Sequence, residues 1–507
     1  MNSPADAGAY EIVAPHAAAL VESLRAFGYT HQGAIADLID NSISAGARNV
    51  WLDFAWDGPA SSIAIRDDGS GMTSAQLVSA MRPGSRSPLD KRADDDLGRF
   101  GLGLKTASFS QCRRLTVTSK TQKDGGVTRR WDLDYIGRTS EWRLLAGPAP
   151  GSESRLALMD EQDCGTQVLW ECLDRIVDGS PTDDLRSHRR FLDLVAQVEA
   201  HVAMTFHRFL SDRKGISIHV NGRTVEAWDP FLEGSAATWQ LGEERLHLHG
   251  AAITIRPYIL PHHTKIDADT HTRAGGVGGW NAQQGFYVYR NRRLLVAGDW
   301  LGLGFQKEEH YKLARIAVDL PNSLDHDWDI DVRKSRARPP GTLRDDLKRI
   351  ARVARERAAG VYRHRGKTLS RATGNHVFLW KQQVSHGRIA YRINYEHPAV
   401  AEVLAFPQPY RGSVQTLIRL IEETVPVPLI VVDAAERPDS HAQPLDQAPT
   451  AEILQMMGQI YASLRKRGMM HPEAVQRLLT IEPFHHFPHL AEQVATTQDG
   501  YEEEEPT

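Results

Sequence analysis

Gly98-Arg99-Phe100-Gly101-Leu102-Gly103-Leu104-Lys105 is the stretch that decides the fold, because it is the third of three motifs in a fixed order. Upstream, Asp37-Leu38-Ile39-Asp40-Asn41-Ser42 has the pattern of a helix, and Asp67-Asp68-Gly69-Ser70-Gly71-Met72 that of a strand end running into a turn. A single G-x-x-G-x-G run is a weak signal, and this one neither opens a strand–helix–strand dinucleotide unit nor contains the P-loop pattern. The order of the three motifs, rather than any one of them, indicates a nucleotide site.

The first motif places a carboxylate and an amide on one face of a predicted helix. At 100° per residue, Asp37 and Asn41 point the same way, whereas Ile35, Ile39 and Ile43 form the opposite, apolar face. This pair suits a hydrated magnesium ion, which takes few protein oxygens. The acid can also activate or orient a water. A solvated amphipathic helix is the alternative for this segment taken alone.

The second and third motifs supply a fixed carboxylate and a glycine loop. Residues 62–66 alternate as a strand that would deliver Asp67 to a sheet end, and the glycines at 69 and 71 would let the backbone approach a ligand. A plain turn-forming Asp-Gly is the alternative. The glycines at 98–103 leave backbone N–H groups free to face phosphates, and a helix beginning near Leu104 would add its positive end.

In this order and spacing the three motifs resemble the Bergerat-type ATP site of the GHKL superfamily, which includes gyrase, the ninety-kilodalton heat-shock chaperones, histidine kinases and MutL. They are most similar to MORC-type and related bacterial ATPases. The resemblance implies ATP and Mg²⁺ as ligands, with Asn41 on the metal, Asp67 accepting the adenine amino group and Thr166 holding adenine through water. The nucleotide-binding residues that it implies are Asn41, Asp67, Gly69, Gly71, Met72, Gly98, Arg99, Phe100, Gly101, Leu102, Gly103, Lys105 and Thr166.

One departure from the superfamily concerns the catalytic base. Most members that hydrolyse ATP have Glu where this chain has Asp37, whose side chain is one methylene shorter. A general base must lie within hydrogen-bond reach of its proton, directly or through one water. We therefore expect Asp37 to support hydrolysis, but slowly.

Length and composition fit a globular chain of several domains. The 507 residues are 41% hydrophobic and 24% charged, with a formal net charge of −4. The three cysteines are odd in number and lack metal-ligand spacing, and neither a secretory leader nor a run of 18 apolar residues is present. We expect a cytoplasmic protein with no membrane partner.

The strand and helix patterns predict an α+β protein. They predict strands over residues 285–290 and 314–320, a hairpin at the Asn221-Gly222 turn and a second hairpin around Ser385.

Three regions are expected along the chain. Residues 1–213 would form the Bergerat-type α/β sandwich ATPase domain, ending in a helix over 185–210. Residues 214–366 would form a ribosomal-protein-like α/β transducer domain, because 285–296 and 328–338 resemble the transducer of MutL and MORC-type ATPases. In that resemblance Lys334 reaches the γ-phosphate; alternatively it is one more member of a basic patch. Residues 367–507 would be a mixed α/β region for dimerisation or partner binding, with an acidic tail.

Basic residues cluster between 333 and 371, and the predicted helix over 343–362 would carry a dense cationic face that includes Arg349, Arg352 and Arg355. Clustered Lys and Arg release counterions from nucleic acid, so contact with the phosphates of duplex DNA is one interpretation. A solvated surface helix is the other.

Three classes of function remain from the sequence. The first is an ATP-switched dimeric clamp on DNA, acting in repair, chromosome organisation or anti-phage defence. The second is a chaperone-like ATPase that remodels a protein partner through the C-terminal region. The third, a histidine kinase, is disfavoured because the ATP motifs lie near the start of the chain with no phosphoacceptor helix before them.

Overall fold

A computed structural model describes most of the chain, which forms two compact units, residues 1–366 and 367–507. The described residues of the first unit are 15–26, 28–84, 103–156, 162–213, 215–330 and 337–363. Those of the second are 377, 379–385, 388–405, 407, 410–427, 430, 445, 448, 450–481, 483–484, 487–491 and 493–494. Helices and strands alternate along both units, so the predicted α+β class is confirmed at this level.

The first unit contains two sheets with helices packed against them. Its helices are α1 (Ala17–Arg25), α2 (His31–Ser44), α3 (Ser74–Met81), α4 (Gly103–Phe109), α5 (Leu133–Thr139), α6 (Leu185–Thr205), α7 (His207–Leu210), α8 (Ala268–Gly275), α9 (Gly279–Ala282) and α10 (Arg344–Arg363). The strands of the first sheet are β1 (Asn49–Ala55), β2 (Ser62–Asp67), β3 (Arg114–Lys120), β4 (Val127–Asp132), β5 (Leu145–Ala146), β6 (Gly165–Glu171), β7 (Ser217–Val220) and β8 (Arg223–Thr224). Those of the second are β9 (Trp239–Gln240), β10 (Glu244–Leu248), β11 (Ala251–Ile259), β12 (Gly285–Arg290), β13 (Arg293–Asp299) and β14 (Ala314–Leu320).

The first sheet has the order β5-β4-β3-β6-β2-β1-β7-β8, and α2 lies against β2, α4 and α6. Alternate residues on β1 and β2, such as Leu52, Ile63 and Ile65, are buried in one apolar core with residues of these helices. Burial of this alternating face is what orients the sheet. As a result Asp67, the last residue of β2, pairs directly with Thr166 of β6 at a sheet end.

Strand β7 follows the predicted end of the first domain at residue 213, yet it runs parallel to β1 in the first sheet. It is joined to β8 by the Asn221-Gly222 turn, and the hairpin predicted from this pair of residues is confirmed. Both turn residues have positive φ, 45° and 78°, which is why Asn-Gly is favoured there. The domain boundaries themselves stay predictions.

The second sheet has the order β10-β11-β14-β12-β13, with β9 added at β11. Helix α10 packs against β11 and β14 through Leu347, Ile350, Ala351, Ala354 and Ala358, all of them buried. These apolar positions recur at helical spacing, so the amphipathic face of α10 is what holds it on the sheet.

The prediction that Arg355 belongs to the exposed cationic face of α10 is wrong. Arg355 is buried, donates to the carbonyl of Gln306 at 2.8 Å, pairs with Glu308 at 3.2 Å and lies over the ring of Tyr311. It sits on the same helical stripe as Ala351 and Ala358, which explains its burial. Exposed cations on the described part of this helix are Arg349, Arg352 and Arg357.

The second unit contains the hairpin β15 (Trp380–Ser385) and β16 (Arg388–Ile393), which confirms the hairpin predicted around Ser385. Its helices are α11 (Pro398–Val403), α12 (Tyr410–Glu423), α13 (Thr450–Lys466) and α14 (His471–Leu478). Helices α13 and α14 pack on each other around a small apolar core that includes Met457, Tyr461 and Leu478. Across the described residues of the whole chain, no helix is both long and apolar enough to cross a bilayer.

A buried histidine should make the first unit less stable in acid. His207 of α7 contacts the hydroxyl of Tyr289 on β12 through Nε2 at 2.9 Å, and burial, aided by the charge of Arg208, lowers its pKa to about 3. Between the unfolded pKa of about 6.5 and this value, the unfolded chain binds a proton that the folded chain does not, so stability falls as pH falls. Burial also lowers the pKa of His201, to about 4, so this histidine changes the stability with pH in the same direction.

We expect the His207 contribution to lower the free energy of unfolding by about 2 kcal/mol between pH 7 and pH 5. Urea unfolding of the wild type and of His207→Gln at both pH values measures it, because the variant lacks the group that titrates. His247→Gln, at an exposed position, is the control. Equal pH dependence in His207→Gln and the wild type would contradict the assignment.

Candidate nucleotide-binding site

Asp67 lies in a polar cradle at the end of β2. Its side chain is buried, and Oδ2 accepts a hydrogen bond from the Ser42 hydroxyl of α2 at 2.8 Å while Oδ1 accepts one from the backbone N–H of Gly69 at 2.9 Å. Burial raises the pKa of Asp67, although these hydrogen bonds act in the opposite direction. The carboxylate is thus held in one orientation by donors from α2 and from the loop that follows it.

The glycines after Asp67 are required by the packing of the loop itself. Gly71 has φ of +66°, and a Cβ atom there would lie 1.9 Å from the carbonyl oxygen of Lys120. A Cβ at Gly69 would lie 2.9 Å from that of Ala45. Gly165, whose Cβ would meet the carbonyl of Asp67 at 2.1 Å, shows the same close approach on the neighbouring strand. The loop is therefore pressed against β3, β6 and the end of α2.

Thr166 faces Asp67 across the β2–β6 pair and belongs to a short hydrogen-bonded chain. Its Oγ1 lies 2.8 Å from the hydroxyl oxygen of Ser119 on β3, and that hydroxyl accepts from the backbone N–H of Met72 at 2.8 Å. Ser119 also donates to the carbonyl of Gly165 at 3.1 Å. Strand β3 and the Asp67 loop are thereby fixed around one point, the ends of β2 and β6.

Asp37 lies on α2, buried beside Tyr29, which is nearby in the sequence, and Arg293, which comes from a distant part of the chain. The hydroxyl of Tyr29 donates to its Oδ2 at 2.9 Å. Arg293 of β13 places Nη2 3.8 Å from its Oδ1 and bonds both oxygens of Asp40 through Nε at 2.8 Å. The predicted polar face of α2 is therefore partly an ion-paired interior, since Asp37, Asp40 and Arg293 are 4%, 1% and 4% exposed.

The start of α4 lies next to Asp37. A Cβ atom at Gly103 would be 3.8 Å from Oδ2 of Asp37, and helices α2 and α4 pack on each other. The predicted helix start near Leu104 is confirmed. Asn41, one turn beyond Asp37, has an exposed side chain. Helix α2 thus joins the Asp67 cradle, through Ser42, to the Asp37 group.

Lys105 is placed differently from a simple phosphate-facing lysine. Its side chain is buried, Nζ donates to the carbonyl of Ala80 at the end of α3 at 2.8 Å, and burial lowers its pKa to about 8. Its contact with phosphate stays a prediction. The remaining predicted site residues lie outside the described part of the chain; they are Gly98, Arg99, Phe100, Gly101, Leu102 and Lys334.

Four residues of this region were not assigned a role from the sequence: Tyr29, Ser42, Ser119 and Arg293. Ser42 follows Asn41 directly, and its contact with Asp67 depends on how α2 crosses β2. Ser119 pairs with Thr166 in the β3–β6 register, which the strand sequences alone do not specify. Arg293 is 253 residues from Asp40, and no local pattern links them.

Comparison with known proteins finds similarity to ATPases over the residues of this site. Residues 29–166 match the family described as histidine kinase-, DNA gyrase B- and HSP90-like ATPase. The ATPase morc-1 of Caenorhabditis elegans is 34% identical over 108 residues, which are 21% of this chain and 12% of that protein. The DNA mismatch repair protein MutL of Edwardsiella ictaluri is 29% identical over 214 residues, 41% of this chain and 29% of its own length.

A second MutL, from Aeromonas salmonicida, is 38% identical over 120 residues, 23% of this chain and 18% of that protein. The chain therefore spans less than a third of the length of each of these relatives. Together the matches confirm the resemblance to GHKL ATPases of the MORC and MutL type that the three motifs indicated.

Proposed function

We propose that the chain binds ATP with Mg²⁺, hydrolyses it slowly and works as an ATP-switched dimeric clamp on DNA. The match of residues 29–166 to the histidine kinase-, DNA gyrase B- and HSP90-like ATPase family supports the nucleotide-binding part of this proposal. The observation that carries the proposal is the Asp67 cradle, in which a buried carboxylate is oriented by Ser42 and Gly69 opposite Thr166. Such a carboxylate can accept the adenine amino group, because its oxygens have further acceptor capacity.

Each part of the nucleotide has a proposed set of contacts. Gly69, Gly71 and Met72 line the base, and Thr166 holds it through a water with the help of Ser119. The backbone N–H groups of 98–103 wrap the phosphates. Asn41, exposed on α2, holds the Mg²⁺ ion, which supplies neutralisation of phosphate charge.

Asp37 is proposed as the group that orients or deprotonates the attacking water. It lies beside Gly103, the last residue of the proposed phosphate-binding loop. Tyr29 fixes one of its oxygens at 2.9 Å, so the carboxylate is held in place for that step. Its shorter side chain supports the proposal of slow turnover.

The proposed clamp requires that the closed dimer binds ATP more tightly than ADP. Lys334, from the proposed transducer region, would meet the γ-phosphate only when two chains close, so that ATP but not ADP favours the closed dimer. Two observations support the proposed binding of DNA. Helix α10 carries exposed cations, and the similar proteins include MutL, a DNA mismatch repair protein. Repair, chromosome organisation and anti-phage defence are the processes such a clamp would serve.

A protein-remodelling ATPase is the second candidate. It is favoured by apolar side chains on α12 of the second unit, where Leu417 and Leu420 are each 57% exposed. Contiguous exposed apolar surface marks protein interaction sites. In this candidate the C-terminal region, not α10, contacts the molecule that is acted on.

One experiment separates the two candidates. The full chain is mixed with duplex DNA and Mg²⁺ and with either a non-hydrolysable ATP analogue or ADP, and light scattering gives the dimer fraction and the amount of DNA bound. We expect more dimer, and more DNA in the dimer, with the analogue. Equal dimer fractions with the two nucleotides would contradict the switch, and dimerisation without DNA would favour the protein-remodelling candidate.

The surface in contact with DNA is tested by reversing charge on α10. Arg352→Glu with Arg357→Glu should lower duplex affinity at least about tenfold and reduce its salt dependence, because phosphate contacts dominate such binding. ATP affinity should not change. The matched control is Arg186→Glu with Arg189→Glu on α6, also exposed. Similar losses in both double variants would show a general charge effect rather than a surface on α10.

A further inference from the structure

The buried cluster between α2 and β13 brings together four titratable side chains that come from three elements. Arg293 bonds both oxygens of Asp40 through Nε at 2.8 Å, and its Nη2 lies 3.8 Å from Oδ1 of Asp37. His201 of α6 is close enough that the charges of Arg293 and Asp40 both affect its pKa, which burial lowers to about 4. At neutral pH the histidine is therefore uncharged, and Arg293 is a cation that faces both carboxylates.

The position of the guanidinium group is fixed from the second sheet. Arg293 begins β13 directly after a tight turn in which Asn291 and Arg292 have φ of 46° and 70°, so the hairpin leaves its Cα little freedom. Nη1 donates to the carbonyl of Leu294 at 3.3 Å, and Nε is held by Asp40. With these two nitrogens engaged, the direction of Nη2 toward Asp37 is set by the planar geometry of the group.

The contact between Arg293 and Asp37 is electrostatic rather than a hydrogen bond, because 3.8 Å exceeds hydrogen-bond length. Both side chains are buried, so the positive charge of Arg293 attracts the Asp37 carboxylate in surroundings that screen charge weakly. Asp40 accepts the hydrogen bond from Nε and so fixes Arg293 at this distance from Asp37.

We propose that Arg293 is a positioning residue for hydrolysis, anchored by Asp40 so that it orients the Asp37 carboxylate and ties it to the second sheet. This inference rests on the proposed function, in which Asp37 acts on the attacking water. Arg293 does not touch the nucleotide in this assignment. Its replacement should therefore change the rate of hydrolysis and leave nucleotide affinity almost unaltered.

The test uses the full chain and measures kcat, KM and, by calorimetry, the Kd for a non-hydrolysable ATP analogue. Arg293→Gln should lower kcat at least about tenfold and change Kd less than about twofold, since only interactions stronger in the transition state alter kcat. Arg293→Lys, which keeps the charge but not the planar fork, should recover part of the loss. Asp40→Asn should also lower kcat, because the anchor is gone.

Two comparisons separate positioning from general destabilisation. Arg256→Gln removes an arginine of the same sheet that pairs with Asp319 at 2.7 Å and Glu243 at 2.9 Å, and it should leave kcat unchanged per folded molecule. Combined with Asp37→Ala, Arg293→Gln should cause no further loss of the residual rate, because both act on the same step.

A normal kcat in Arg293→Gln, an equal loss in Arg256→Gln, or an additive loss with Asp37→Ala would each overturn the assignment. If Arg293→Gln does not fold, the kcat of Arg293→Lys together with that of Asp40→Asn decides instead, and normal values in both would overturn it. Failure of the proposed function is distinguishable, because the wild type itself would then show no turnover, and the inference would fall with it.

Discussion

Asp37→Ala is expected to lower kcat for ATP hydrolysis at least about 100-fold, the effect typical of losing a general base, while ATP affinity changes less than about threefold. The physical reason is that the buried carboxylate of Asp37, held by Tyr29 at 2.9 Å and adjacent to Gly103, is proposed to act on the attacking water and to make no contact with the base or ribose. Steady-state hydrolysis and calorimetric binding of a non-hydrolysable analogue measure the two quantities separately.

Two further variants test whether the charge or the length of the Asp37 side chain determines the rate. Asp37→Asn keeps the shape but not the charge, so it should lose turnover as Asp37→Ala does without leaving a cavity. Asp37→Glu restores the length usual in the superfamily and should raise kcat if distance to the water limits the rate. Asp53→Asn, at a half-buried acid on β1, is the control. Hydrolysis at the wild-type rate in Asp37→Ala would assign the role to another residue.

Local patterns predicted the individual elements well. Strands β12 and β14 have the predicted bounds, Gly285–Arg290 and Ala314–Leu320, because long apolar runs with β-branched and aromatic residues leave few alternatives. Helix α10 was also predicted to within one residue of its observed bounds. Arg355 was predicted to be exposed because it lies within a cluster of charges, whereas helical periodicity places it on the apolar stripe with Ala351 and Ala358.

What local patterns did not predict depends on contacts between distant segments. Strand β7 joins the first sheet because β1 offers a free edge to it, and nothing in Ser217–Val220 specifies that partner. The acids of α2 were expected on a polar face with Asn41. They are buried because Arg293, from the second sheet, supplies the compensating charge.

The cradle of Asp67 shows the same division between what is local and what is not. The Asp-x-Gly-x-Gly turn was evident from the sequence, and the hydrogen bond from Gly69 follows from it. The second bond, from Ser42, requires α2 to cross the end of β2, and the third neighbour, Thr166, requires the β2–β6 register. Asp67 and Thr166 could be named as candidates from the sequence, whereas the contribution of Ser42 and the orientation of these side chains come from tertiary structure.

Asp67→Asn is expected to weaken ATP binding by about 2 kcal/mol or more, roughly 30-fold in Kd, as for the loss of a buried hydrogen bond to a charged group. The variant keeps an acceptor oxygen for Ser42 or Gly69 but presents an NH₂ group where the adenine amino group would donate, so two donors would face each other. Isothermal titration with ATP and Mg²⁺ measures the change.

Asp68→Asn is the matched control. The carboxylate of Asp68 follows Asp67 directly in the sequence, but it accepts hydrogen bonds from the protein backbone. Oδ1 of Asp68 accepts from the N–H groups of Arg48 and Asn49 at 2.7 and 2.8 Å, so the substitution should affect stability and not nucleotide affinity. Protonation of Asp67 removes the same charge as the Asn variant, and burial has already raised its pKa. Wild-type affinity should therefore weaken on acidification more than that of Asp67→Asn, and an unchanged Kd in Asp67→Asn at neutral pH would exclude Asp67 as the adenine acceptor.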